Sequence, residues 1–373
     1  MTRILILGGT GYTGRLIAEL LLEQSTADVT IATRNPDKAQ AFADELKQRF
    51  IGRTIEAVYA DASNSESLQA AFQGQNMVVV AAPTVAYIEN VVRVALSEGV
   101  DYLDVQLDTH KYSFLKSLES EIAQAGRCFI TEAGFHPGLP SALVRFAAAH
   151  LDFIESADVA GFLNMGKNLP YTEAVDELIE IFKDYQGQVY QNGNWTRPNS
   201  FVMRKIDFGH DIGIKRCYSM FFEELRALPK MHPSLKNTGF YISESHWMTD
   251  WVIMPMMWIW LKIFPRAVRP IGKLLWWGMG TFHKPPYRVE LQVQATGLKD
   301  GQPVTVQASV SHPDGYVLTA ASVVAALLQY MDKGHRKPPG LWLMGHMVKP
   351  IILMKDMEKM GLQCETKIQD RKE

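Results

Sequence analysis

The chain reads as an α/β protein in which a doubly wound parallel sheet precedes a second α/β domain with a mixed or antiparallel sheet. Three observations predict this. Short β-rich runs alternate with stretches of helical periodicity over the first 140 residues, which is the pattern of βαβ units. A glycine-rich turn follows the first of those runs, and strict two-residue alternation appears late in the chain. A length of 373 residues suits two domains. Apolar residues at 47% and charged residues at 21% are globular proportions, which excludes a disordered or fibrous chain.

Taken in order, Ile4 to Leu7 is the first strand, too short an apolar stretch for a signal peptide. The following strands are Val29 to Ala32, Ala57 to Tyr59, Met77 to Ala81, Tyr102 to Val105 and Cys128 to Thr131. Between them lie helices, such as the one that Asn35 caps and Pro36 opens, with Ala39, Phe42, Ala43, Leu46 and Phe50 along one face. Gly99 and Gly126 stand where helix C-terminal caps belong. Beyond residue 140, Val159 to Asn164 suits a strand and Thr172 to Lys183 a helix. Val289, Leu291, Val293 and Ala295, then Val304, Val306, Ala308 and Val310, alternate with polar residues and read as a hairpin linked by Gly297 to Gln302. Leu318 to Met331 reads as a helix, Lys337 to Gly340 as a breaker, and Val348 to Met360 as a helical tail. The expected domains are 1–140, with a C-terminal helix at about 340–373 packing back on it, and 141–339.

A formal net charge of -2 gives no pull toward nucleic acid. Cys128, Cys217 and Cys364 are scattered and odd in number, so neither a disulfide framework nor a cysteine zinc site is expected; a reducing, cytoplasmic compartment fits. No HExxH or other metal-ligand spacing and no GxSxG occurs, so neither a metal site nor a hydrolase is supported.

The strongest chemical signal is Gly8-Gly9-Thr10-Gly11-Tyr12-Thr13-Gly14, set between the first strand and a helix. Such a loop needs a tight turn, close backbone approach to a pyrophosphate, and a helix N-terminus against the phosphates; it predicts dinucleotide binding. At the end of the second strand, Thr33-Arg34-Asn35 holds an arginine and no carboxylate before Asp37. An arginine pairs with a 2′-phosphate, so NADP is expected over NAD. Asp61, after the third strand, and Ala82-Pro83, after the fourth, occupy the carboxyl ends where the adenine and the nicotinamide ribose would lie.

The run ILILGGTGYTGRLIAELL, the segment TRNPDKA, the strand end Tyr102-Leu103-Asp104 and the turn Glu132 to Pro140 together resemble the saccharopine dehydrogenase-like oxidoreductases. The stretch from Pro339 to Gly361 is also similar, while the middle of the chain resembles them faintly. The resemblance implies an NADP-binding Rossmann domain, a second α/β domain whose sheet helps enclose the substrate, and hydride transfer. In some members this occurs at an amino-acid imine, in others at a lipid-linked double bond. Many members follow the Tyr-x-Asp strand end with Gly-Glu, where this chain has Gln106-Leu107-Asp108. An arginine cluster for an amino-dicarboxylate is not evident, although Arg197, Arg204 and Arg216 could serve.

Asp104, at a strand end, and His136, in the Gly134 to Gly138 turn between the domains, are the candidates for chemistry. Histidine titrates near neutrality and can carry the proton that accompanies a hydride. Both also have structural readings: a hydrogen bond in the turn for His136, capping or ribose binding for Asp104. Tyr171, Lys167 and His210 have no spacing that singles them out.

Six of the eight tryptophans fall between Trp247 and Trp277, and from Trp251 to Val289 there is no Asp or Glu. Lys262, Arg266, Arg269, Lys273, Lys284 and Arg288 supply positive charge. The 11-residue apolar run Trp251 to Leu261 contains Pro255 and is far below the ~20 residues of a spanning helix. Segment 247–288 therefore reads as a membrane-interface contact, a lid over a hydrophobic substrate, or a homodimer contact. The expected function is an NADP-dependent oxidoreductase reducing a C=C, C=N or C=O bond in a small, hydrophobic, lipid- or isoprenoid-like molecule, with a peripheral membrane contact. The alternatives are an amino-acid imine reductase and a catalytically silent NADP-binding protein at a lipid surface.

Overall fold

The computed structural model describes residues 2–165, 171, 175–176, 179–180, 185–209, 211–332, 334 and 337–370. Lys167, His210 and most of the Thr172 to Lys183 helix lie outside the described residues. The chain divides into two compact units: Met1–Leu139 with Tyr316–Met360, and Pro140–Gly315 with Gly361–Glu373. The sequence drew its boundaries at about 140 and 340; the helix Gly315–Met331 falls almost wholly in the first unit instead.

The first unit is built on a seven-stranded sheet. Its strands are β1 (Arg3–Leu7), β2 (Asp28–Thr33), β3 (Ile55–Tyr59), β4 (Met77–Val80), β5 (Asp101–Asp104), β6 (Cys128–Thr131) and a last strand, Gly340–Leu343. The order across the sheet is Gly340–Leu343, β6, β5, β4, β1, β2, β3, and every pairing is parallel. Helices α1 (Tyr12–Gln24), α2 (Pro36–Arg49), α3 (Ser65–Phe72), α4 (Ile88–Ser97), α5 (Thr109–Ser117) and α6 (Glu119–Gln124) carry the crossovers. Because strands of such a sheet are covered on both faces, they read as unbroken apolar runs; all four residues of β4 and of β6 are buried. Asn35 caps α2 as expected, its side chain accepting from the Lys38 amide at 3.0 Å. The helix Gly315–Met331 buries Leu318, Ala321, Val324 and Ala325 completely, which explains its lack of an apolar stripe.

The second unit holds a nine-stranded mixed sheet. Its main path runs Met203–Asp207, Ile214–Met220, Asn237–Ser243, Phe153–Asn164, Arg288–Lys299, Gln302–His312, Gln363–Asp370. Asn237–Ser243 and Phe153–Asn164 pair in parallel and the other neighbours on the path are antiparallel. The expected hairpin is present and longer than read. Its link is the two-residue turn Asp300-Gly301, both at positive φ (51° and 75°), whose twist matches that of the flanking strands. The expectation that about 340–373 forms a C-terminal helix is corrected. Gly340–Leu343 adds to the parallel sheet, Pro350–Lys359 is the helix, and Gln363–Asp370 pairs with Gln302–His312. A strand four residues long is recognisable only by the sheet edge that it completes.

Candidate functional site

The order of the parallel sheet reverses between β1 and β4, and open α/β sheets bind ligands beyond the strand carboxyl ends at such a point. The glycine loop leaves β1 there. Gly8 has φ +87°, and a Cβ on it would stand 2.6 Å from the Ala82 Cβ and 2.9 Å from the Ala81 carbonyl oxygen. On Gly14 a Cβ would meet the Gly8 carbonyl oxygen at 2.3 Å. These two glycines keep β1, α1 and the end of β4 at backbone contact distance. The turn is closed by Gly11 N–H to Gly8 C=O at 2.9 Å and tied to β2 by Gly8 N–H to Ala32 C=O at 2.9 Å. Helix α1 begins without a side-chain cap and without an acidic residue in its first turn. The positive end of its dipole thus faces no acidic side chain of its own first turn and suits an anion. Thr10 and Thr13 are partly exposed and Gly11 and Tyr12 exposed, with Tyr12 edge-on to Tyr316 at 5.0 Å. This cradle fits a dinucleotide pyrophosphate.

Arg34 is exposed past the end of β2. Asp61, past β3, accepts from the Ser63 amide at 2.9 Å and the Ser63 hydroxyl at 2.7 Å. Those bonds, with a smaller contribution from the positive charge of Arg34, hold its carboxyl below the usual range. Ala82 and Pro83 sit at the end of β4, where the Ala82 carbonyl accepts from the Gln106 side chain at 2.6 Å and from the Thr84 amide at 2.8 Å.

Asp104 closes β5 and is completely buried. Its carboxylate accepts from the ammonium of Lys111, itself 1% exposed, from the Thr131 hydroxyl at 2.8 Å and from the Gln106 amide at 3.1 Å. Lys111 donates also to the Gln106 carbonyl, and its backbone amide is held by Asp108, the cap of α5, at 2.6 Å. The Ala133 amide donates to the Asp104 carbonyl at 2.8 Å, so the turn carrying His136 is moored to the end of β5. Sequence reasoning named Gln106 only as a departure from the family pattern and missed Lys111. The one signal for Lys111 was Asp108 three residues before it, a capping distance, because a lysine on a short helix gives no sign of being buried. His136 lies partly exposed against Phe135, ring centroids 4.1 Å apart, and burial lowers its imidazole to about 4.

In the second unit, a cavity of about 460 Å³ opens on the polar face of the mixed sheet. Its wall includes Asp158, Arg204, Asn237, Gln292 and Gln294. Arg204 meets Asp158 at 2.6 Å, but the other Asp158 oxygen is buried without a partner, and burial pushes this carboxyl up to about 6. Arg216 is taken by Glu244 at 2.7 Å, and Arg197 is exposed, so only Arg204 of the three arginines lines the cavity. Tyr171 donates to Asp176.

The architecture is a dinucleotide-binding Rossmann sheet joined to a mixed-sheet α/β unit. Residues 4–130 match the family model described as the saccharopine dehydrogenase NADP binding domain. The chain thus carries a saccharopine dehydrogenase-like NADP-binding domain, and NADP(H) is its cofactor. Among solved structures, saccharopine dehydrogenase (L-Glu forming) from Saccharomyces cerevisiae shares the fold over 99% of this chain and 100% of that one, with a TM-score of 0.70 at 15% identity. Among curated proteins, the carboxyaminopropylagmatine dehydrogenase of Synechocystis sp. is 24% identical over 255 residues, 66% of this chain and 63% of that protein. The carboxynorspermidine synthase of Vibrio cholerae is 24% identical over 247 residues, 61% and 59% of the two chains. The aligned segments span about three fifths of those relatives.

Proposed function

We propose that the chain is an NADP(H)-dependent oxidoreductase that reduces a C=C, C=N or C=O bond of a small, hydrophobic, lipid- or isoprenoid-like substrate at a membrane surface. The observation that carries the oxidoreductase reading is the cradle made by Gly8 and Gly14 at the reversal of the parallel sheet. In this reading Gly8, Gly9, Thr10, Gly11, Tyr12, Thr13 and Gly14 hold the pyrophosphate against the first turn of α1, Arg34 pairs with the 2′-phosphate, and Asp61 borders the adenine. Ala82 and Pro83 border the nicotinamide ribose. Bound NADPH supplies the hydride.

His136 is the proton-carrying group and Asp104 the residue that positions its turn. A neutral imidazole accepts the proton released on oxidation to C=O or C=N, and by reversibility returns it on reduction. The hydrophobic character of the substrate rests on the water-facing tryptophans of segment 247–288.

A second reading, reduction of an imine formed by an amino acid or amine, is favoured by the polar cavity around Arg204 and Asp158 and by the activities for which the relatives are named. One experiment separates the readings. Purified protein is titrated with NADPH and NADH, and NADPH oxidation is then followed with apolar enones and aldehydes and with amine plus keto-acid pairs. The leading reading expects NADPH-selective binding and turnover with the apolar acceptors. Turnover confined to the amine pairs replaces it with the second, and binding without turnover leaves a catalytically silent NADP-binding protein.

A further inference from the structure

The tryptophan-rich segment folds in the second unit as a five-residue π-helical turn, Thr249–Ile253, followed by two helices, Met254–Ile263 and Val268–Phe282. Ile253, Met257 and Leu261 recur every fourth residue and form a buried cluster with Ile179, Ile271 and Leu275. That stripe accounts for the packing of the pair, and it leaves out most of the large apolar residues. Trp251 is 63% exposed, Ile259 58%, Ile263 60% and Phe264 61%, with Trp258 and Trp260 more than 40% exposed. Trp247 and Trp277 add to them at 62% and 56%. So many exposed large apolar side chains within one segment mark an interaction surface.

The charge around these residues names the partner. Lys262, Arg266, Arg269, Lys273 and Lys284 are all exposed, and no carboxylate lies between Trp251 and Val289. A second copy of the same face would bring five further cations against these five with no acid from the segment to offset them. An anionic lipid headgroup layer supplies the missing charge, and its acyl boundary takes the apolar side chains. Tryptophan suits that boundary, being an apolar ring with one polar N–H. At 1.5 Å per residue the two helices extend about 15 and 22 Å, short of the roughly 30 Å hydrocarbon core. No helix among the described residues is long and apolar enough to cross a membrane. The pair therefore lies in the interface rather than across it.

We infer that the helix pair from Met254 to Phe282 is a docking surface for an anionic bilayer, entering it through Trp258, Ile259, Trp260, Ile263 and Phe264 and held by the basic residues around them. This deepens, and rests on, the membrane-surface part of the proposed function. Each basic residue near an anionic surface strengthens binding about fivefold, so the docking weakens with salt.

The test is flotation of the full chain with phosphatidylcholine vesicles, with and without phosphatidylglycerol. Binding is expected on the anionic vesicles at low salt, with a loss of at least tenfold at high salt. The double variants Trp260→Ser with Phe264→Ser, and Lys262→Glu with Arg266→Glu, are each expected to weaken it at least tenfold. Tryptophan emission should shift to the blue on binding and be quenched by brominated lipids in the wild type. Absence of wild-type flotation on anionic vesicles at low salt overturns the inference, as does wild-type flotation by both variants. A concentration-dependent dimer that does not float assigns the face to a second copy. NADPH affinity of each protein is measured alongside. Intact affinity without flotation rejects the docking alone, whereas flotation without nucleotide binding rejects the oxidoreductase reading alone.

Discussion

Asp104 in the first unit and Asp158 in the second are both buried carboxylates beside a basic residue, yet they are finished differently. Around Asp104, one lysine, one hydroxyl and two backbone amides, those of Gln106 and Glu132, occupy the carboxylate, and Lys111 gives a further donor to the Gln106 carbonyl. Around Asp158, Arg204 takes one oxygen and the other stays buried without a partner, next to a polar cavity. A filled buried network fixes a geometry, here the end of β5 and the turn that follows β6. A half-filled one leaves desolvation uncompensated, and the carboxyl responds by titrating high.

The largest expected effect breaks the filled network. Lys111→Met leaves Asp104 buried without its cation and should cost about 3–5 kcal/mol, measured by urea unfolding. A loss under 1 kcal/mol would show that the network is not the clamp described here.

The second effect concerns the half-filled pair and is a slope against pH. The folded-state pKa of Asp158 is raised from 3.8 to about 6, so between pH 4 and pH 6 the folded protein binds the extra proton. Stability attributable to this group is greatest below pH 4 and falls as pH rises to 6, by up to about 3 kcal/mol. Asp158→Asn should flatten that fall relative to wild type; parallel curves for the two proteins would remove Asp158 as its source. Glu290, 4% exposed beside Arg288 on the same sheet, is raised to about 7 and should extend the same slope upward in pH.

A smaller effect sharpens the contrast at a single bond. Tyr330 donates to buried Asp101 at 2.6 Å, and the Cys128 amide fills the other Asp101 oxygen at 2.9 Å. Tyr330→Phe should cost about 1–3 kcal/mol in thermal unfolding, in proportion to one bond lost to a buried acceptor. Last, Arg34 lies in water, where an open charge costs little. Arg34→Ala should leave stability within about 0.5 kcal/mol while weakening NADPH binding roughly tenfold more than NADH binding. Equal losses for the two nucleotides would end the 2′-phosphate role.

The glycine loop, the six strands that follow its pattern and the Asn35 cap were legible because each depends on local chemistry. A turn at φ +87° with no room for a Cβ admits glycine, and a strand covered on both faces must be apolar throughout. The Asp300-Gly301 turn was legible in principle, since Asp-Gly between alternating runs is a hairpin signal, but the link was read too long. Lys111 was not legible, because nothing in a nine-residue helix says which side chain finds a buried carboxylate seven positions earlier.

By itself the sequence determined the parallel nucleotide-binding sheet, the preference for NADP, the late hairpin and the acid-free aromatic stretch, since all of these follow from spacing and side-chain type. Tertiary structure alone decided that Gly340–Leu343 and Gln363–Asp370 become edge strands of two different sheets. It also decided that Asp104 is satisfied where Asp158 is not, and that most of the tryptophan-rich apolar surface faces water. Each of those outcomes depends on which distant groups arrive beside a residue. Burial and pairing are properties of that meeting, and the residue's own neighbours in the chain do not encode it.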